Sequence, residues 1–191
     1  MPLFDKCIDA FLMSFKIWNA ATVGGNVVMS LPAGAMVSLT AALEGVCTLW
    51  PRPDQSNGGK PRQVPVVDFV TGNHQNVLQK GELLRSILLP ASALSKRFAM
   101  RQVSLTHVGR SAALIVATVG DKGEDFLLTV SAATPRPVHL RFKKTPSATE
   151  MRQAIDERLP ADAWFKDVHG SAPYKRHVTH YLAEQIRAEL S

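Results

Sequence analysis

Apolar residues near the start of the chain recur at helical spacing. Across residues 2–15, "PLFDKCIDAFLMSF", Phe4, Cys7 or Ile8, Phe11 and Phe15 fall three or four positions apart, which predicts a short amphipathic helix. A second helical pattern lies in "MVSLTAALEGVCTLW", with Met36, Leu39, Ala42 and Leu43 on one face and Gly45 placed to cap its end. "VCTLWP" then reads as a strand stopped by Pro51. The polar run "RPDQSNGGKPRQ" over 52–63 reads as an exposed loop. "VPVVDFVTG" follows, and "GELLRSILLP" ends as a strand closed by proline. A boundary is expected near residues 91–95. Beyond it, "KRFAMRQVSLT", "SAALIVATVG" and "DFLLTVSAAT" are three β-rich runs, the last two joined by the hairpin signal "DKGE". They predict an antiparallel meander. Two helical patterns close the chain. In "SATEMRQAIDERL" Ser147 precedes Glu150 by three, a capping box. "APYKRHVTHYLAEQIRAEL" puts Tyr174, Val178, Tyr181 or Leu182, and Ile186 on one apolar face.

No charge occurs between Ile17 and Leu43, yet Asn19, Gly24, Gly25, Asn26, Pro32 and Gly34 interrupt that stretch, so it is not expected to span a membrane. The 191 residues are 46% hydrophobic and 20% charged, an ordinary globular balance. The net charge of +6 is dispersed over "SKRFAMR", "RFKK" and "YKRH" without interleaved aromatic residues, which argues against a nucleic-acid partner. Cys7 and Cys47 stand apart with no metal-binding spacing, so a reducing, cytoplasmic compartment is expected and the chain carries no iron–sulfur cluster of its own.

Candidate chemistry is sparse. His177 and His180 sit three apart on the last helix, but two such residues do not make a metal site and read as surface histidines. His107 reads as a turn residue. "GRSAA" lacks the second glycine of a nucleophile elbow. The stretch "NAATVGGNVV" (19–28) is the distinctive one. Adjacent glycines let backbone N–H groups approach an anion closely, so Gly24, Gly25 and Asn26 form either a phosphate-binding nest or a tight turn.

Taken in order, "IWNAATVGGNVVMSLPAGAMVSLTAALEGVCTLW", "RQVPVVDFVTG", "GELLRSILLP" and "RFAMRQVSLTHVGRSAALIVATV" resemble the FAD-binding (medium) subunit of the molybdenum hydroxylases, the group of xanthine dehydrogenase and carbon monoxide dehydrogenase. The family pattern reads R-N-x-A-T-I/V-G-G-N, then F-x-x-G, then G-E-L-L-x-x-I-x-I/L-P. The resemblance covers nearly all of the chain. It implies that Thr22, Val23, Gly24, Gly25 and Asn26 form one of two glycine loops holding the FAD pyrophosphate. It also implies that Leu84 lies near the flavin, and that Arg101 stands where the family often has a basic residue beside the cofactor. The implied fold is α+β: the second subdomain of a FAD-binding domain over 1–92, then a C-terminal domain over 93–191 with a three-stranded antiparallel sheet and a helical bundle. The implied role is electron relay from iron–sulfur clusters to an acceptor, alongside a molybdopterin-binding large subunit and an iron–sulfur (2Fe–2S) small subunit, with no catalytic acid or base of its own. Three positions depart from the pattern. The family's first glycine loop has no counterpart here, Ala35 stands for an aspartate, and Trp18 for an arginine. A shortened homologue or fragment is therefore expected, one that binds FAD poorly by itself; the alternative is a flavin-free scaffold.

Overall fold

Leu3 and Cys7, one turn apart, anchor a helix that is shorter than its apolar spacing predicts. In the computed structural model, which describes residues 1–52, 59–107 and 109–191, α1 spans Leu3–Asp9 and buries those two side chains. Phe11 is partly buried. Phe15 is 75% exposed and belongs to a separate single turn, α2 (Phe15–Trp18). The glycine stretch is neither loop nor turn but the first turn of a helix, α3 (Val23–Met29). Helix α4 (Ala35–Ala42) follows, with all 8 of its residues buried instead of the single apolar face expected. At its end Glu44 takes the left-handed conformation (φ 54°). The Glu44 N–H donates to the Ala41 carbonyl at 2.9 Å and the Gly45 N–H to that of Thr40 at 2.7 Å, the paired bonds of a Schellman end. Gly45 is required there for space: a Cβ would lie 2.7 Å from the Thr40 carbonyl oxygen.

Strand β1 (Val46–Trp50) forms the centre of an antiparallel sheet between β2 (Arg62–Pro65) and, as the proline-closed strand, β5 (Leu83–Leu88). Between them come α5 (Val66–Phe69) and the two-stranded pair β3 (Val70–Gly72) and β4 (Gln75–Asn76). Of the loop expected over 52–63, residues 53–58 lie outside the described residues. The single turn α6 (Ala91–Leu94) leads to the meander β6 (Arg97–Ser104), β7 (Ser111–Val119), β8 (Glu124–Ser131) and β9 (Val138–Lys144). This sheet has four antiparallel strands in the order β6-β7-β8-β9, not three. The fourth strand buries Val138 and Leu140, but its exposed Arg141, Lys143 and Lys144 make the same residues look like a basic surface patch. Helix α7 (Ala148–Arg158) carries the expected capping box between Ser147 and Glu150. After a 3-10 turn (Ala161–Ala163), α8 (Ala172–Leu190) completes the chain. These two helices stand where a bundle was expected.

Alternation along β7 divides the core in two. Leu114 and Val116 face the cluster built by α1, α3, α4 and β1, while Ala113, Ile115 and Ala117 face α7 and α8. All nine residues of β7 are consequently buried. Helix α8 lies on the sheet rotated by about one residue from its expected face: Lys175, Thr179, Leu182 and Ile186 are buried, whereas Tyr181 is 59% exposed. Lys175 is fully buried. Its ammonium donates to the Ala132 carbonyl at 3.1 Å, pairs with Asp167 at 2.9 Å and lies 5.2 Å from the centre of the Phe165 ring.

His139 on β9 ties the sheet to α4, its Nε2–H donating to the Ala41 carbonyl at 3.0 Å. Burial, with help from the Arg141 charge, holds its pKa below the ordinary histidine value despite the raising effects of the Ala41 bond and of Glu44 and Asp68.

Two outcomes follow from these buried groups. Lys175→Ala leaves Asp167 without its cation and opens a void, so urea denaturation should show a loss of about 3 kcal/mol or more. Protonation of His139 is easier in the unfolded chain, so stability should decline as pH falls below about 6.5. His139→Gln, which keeps a donor for Ala41, should lessen that decline in denaturation curves taken between pH 7.5 and 5.5, the remainder coming from His180, whose pKa burial also lowers.

Candidate functional site

Thr22 is the N-cap of α3, in extended conformation, and its Oγ1 accepts the Gly25 N–H at 3.0 Å. A Cβ on Gly25 would lie 2.9 Å from that oxygen, so the cap itself requires glycine there. Gly24 is different. Its φ is not left-handed, and a Cβ built on it meets nothing nearer than Leu84 Cδ2 at 3.9 Å. Alanine would fit, and glycine inside a helix costs about 1 kcal/mol relative to it. Packing within the chain therefore does not account for Gly24. The Val23 and Gly24 N–H groups have no hydrogen-bond partner among the described residues and form the open, partly positive mouth of α3.

Asn26 holds this turn against the rest of the fold. Its Oδ1 accepts the Met36 N–H at 3.1 Å, so half of an amide expected to face phosphate serves instead to cap the buried N-terminus of α4. Asn76 secures the other end of α3 by donating to the Val28 carbonyl at 2.8 Å. The structure thus brings Thr22, Val23, Gly24, Gly25, Asn26 and Leu84 together. It does not bring Arg101 to them: that side chain pairs with Glu189 on α8 at 2.5 Å and donates to the Met100 carbonyl.

Two hollows flank the turn. An apolar groove of about 360 Å³ runs beside Thr22 and Val23 and is walled by Phe4, Phe11, Trp18, Met36 and Ile87. A mixed cleft of about 300 Å³ lies on the Asn26 side, where Phe11 and Ala35 meet His74, Arg110, Asp167 and His169. The cleft residues come from separate loops, and no local motif announces them. Cys7 and Cys47 are free and buried, and burial pushes both thiols up to about 12, which rules them out as thiolate nucleophiles. No group of three metal-ligating side chains occurs among the described residues, and no helix among them is long and apolar enough to cross a membrane.

Residues 10–92 match the family described as the FAD binding domain in molybdopterin dehydrogenase. No curated protein sequence matches the chain. Among solved structures, the fold is similar to quinoline 2-oxidoreductase from Pseudomonas putida 86, with TM-score 0.75 and 17% identity over 100% of this chain and 67% of that one. It is also similar to carbon monoxide dehydrogenase from Hydrogenophaga pseudoflava, with TM-score 0.70 and 18% identity over 92% of this chain and 62% of that one. The enzyme from Oligotropha carboxidovorans gives TM-score 0.69 and 18% identity over 93% and 64%. The chain therefore spans about two thirds of the length of these structures.

The two glycines should separate cleanly in thermal and urea denaturation. Gly24→Ala should leave stability unchanged or raise it by up to about 1 kcal/mol. Gly25→Ala should lower it by displacing the Thr22 cap, a loss of about 1 kcal/mol.

Proposed function

We propose that this chain is a flavin-binding component of a molybdenum-containing hydroxylase or dehydrogenase, because residues 10–92 match the family described as the FAD binding domain in molybdopterin dehydrogenase. The observation that carries this reading is Gly24. Its missing Cβ would make only an ordinary contact with Leu84, and it adjoins two N–H groups at a helix mouth that have no partner among the described residues, an arrangement suited to a phosphate that approaches the backbone closely. The residues present therefore fit a dinucleotide's pyrophosphate. Val23 and Gly24 would donate to it, Thr22 and Gly25 would keep the turn in shape, and Asn26 would fix it against α4. Leu84, packed beside Gly24, would exclude water. The apolar groove along Trp18, Val23 and Met36 suits a flat aromatic ring system. When bound, FAD supplies the electron-transfer chemistry.

In this reading residues 1–92 form the flavin-contacting subdomain and 93–191 a C-terminal domain. The partners are a molybdopterin-binding large subunit and an iron–sulfur small subunit, and the assembly relays electrons to an acceptor in a reducing, cytoplasmic compartment. Arg101 would reach the cofactor only by leaving Glu189.

Two observations favour a second reading, a flavin-free scaffold within the same assembly. Ala35 places no carboxylate at the N-terminus of α4, and the basic residue at 101 is already paired.

Reconstitution separates the two. The purified chain incubated with FAD and desalted should retain absorbance near about 450 nm and gain thermal stability as ligand binding requires. Gly24→Val should abolish both effects while the variant stays folded. A colourless wild-type chain with unchanged Tm would contradict flavin binding and leave the scaffold reading.

A further inference from the structure

A second concave site lies on the opposite side of the four-stranded sheet from α4, where α7, the 3-10 turn and the start of α8 meet. It is a groove of about 410 Å³ lined by Arg152, Trp164, Ala172, Arg176, His177 and His180. Its charge is unbalanced. Asp156 accepts from Arg176 at 2.6 Å and from the Nε2–H of His180 at 3.1 Å, so one carboxylate serves both. Arg152 has no hydrogen bond or ion pair among the described residues. Asp156 is thus shared by Arg176 and His180, the Arg152 charge acts on Glu184, which is itself bonded to Arg187, and His177 adds a further polar edge.

Two further features border the same place. Helix α8 is 19 residues long with its N-terminus at the groove, and Pro173 occupies its second position. Ser171 caps this end, its Oγ accepting the Tyr174 N–H, and the Ala172 N–H makes no hydrogen bond among the described residues, which leaves one helix-terminal donor open. Trp164 is only 6% exposed, and its indole N–H is buried without an acceptor. An unpaired buried donor is costly, and here it belongs to a wall of the groove.

We propose that this groove is a binding site for a phosphate group carried by a small molecule, independent of the glycine turn of α3. Guanidinium groups from two helices, a histidine edge and a helix-terminal N–H approach from different directions. Such a donor set suits a tetrahedral oxyanion with several acceptors better than a planar carboxylate. The volume leaves room for an organic substituent beside the Trp164 ring.

Titration calorimetry at constant ionic strength tests this with inorganic phosphate, phenyl phosphate and acetate. Both phosphates should bind saturably and acetate should not. A tighter phenyl phosphate would identify a phosphate ester as the ligand; equal affinities would identify free phosphate. Arg152→Gln, which breaks no hydrogen bond or ion pair among the described residues, should stay folded with a Tm close to that of the wild type and weaken phosphate binding by about tenfold or more. Gly24→Val should leave that binding intact, so the result does not depend on flavin binding. Acetate binding as well as phosphate, or Arg152→Gln binding phosphate like the wild type, would overturn the proposal.

Discussion

Helix α4 is short and buried on every side, so each of its backbone ends must find a partner inside the protein. The rest of the fold is arranged to supply them. Asn26 reaches back from α3 to the Met36 N–H. Ser38 is bonded to Ser131 on β8 at 2.6 Å, and His139 on β9 donates to the Ala41 carbonyl. The Schellman bonds of Glu44 and Gly45 close the C-terminus. These ties reach from the glycine turn to the far strands of the second sheet, so α4 fixes the position of both halves of the chain.

The same helix end anchors a charged network. Glu44 and Asp125, both with left-handed backbones, share Lys96 and Arg141 between them. Burial alone would raise the Glu44 carboxyl, but hydrogen bonds and charge from Arg141 and Lys96 reverse this and hold it below the usual carboxylate range. Asp125 is lowered first by its bond to Lys96. The network joins the end of α4 to the hairpin of β7 and β8, and its members come from parts of the chain far apart in sequence.

Much of this was legible along the chain. The capping box of α7, the proline-closed β5 and the β7–β8 hairpin are local signals, and local signals survive folding. The ordered motifs from 17 onward pointed to the flavoprotein family because several of them recur at the right spacing. Where reading failed, tertiary context decided. Helix α4 shows no polar face because neighbours cover all of it. Strand β9 hides its Val138 and Leu140 among exposed cations. Lys175 takes a core position on α8 only because Asp167, Ala132 and Phe165 wait there to receive it. The cleft beside Asn26 draws its residues from separate segments and leaves no motif, and in the groove at α8 only Arg176, His177 and His180 lie together in sequence. The stretch at 22–26 stood out in the sequence, but its helical form was not legible, since two glycines weaken any helical signal.

The proposed role of the mouth of α3 is to hold a ligand's phosphate. Amide-resolved NMR during titration with FAD measures this directly. The account predicts that the Val23 and Gly24 N–H resonances shift first and furthest, with Leu84 methyl signals following. Shifts confined to other residues, with Val23 and Gly24 unmoved at saturation, would contradict it.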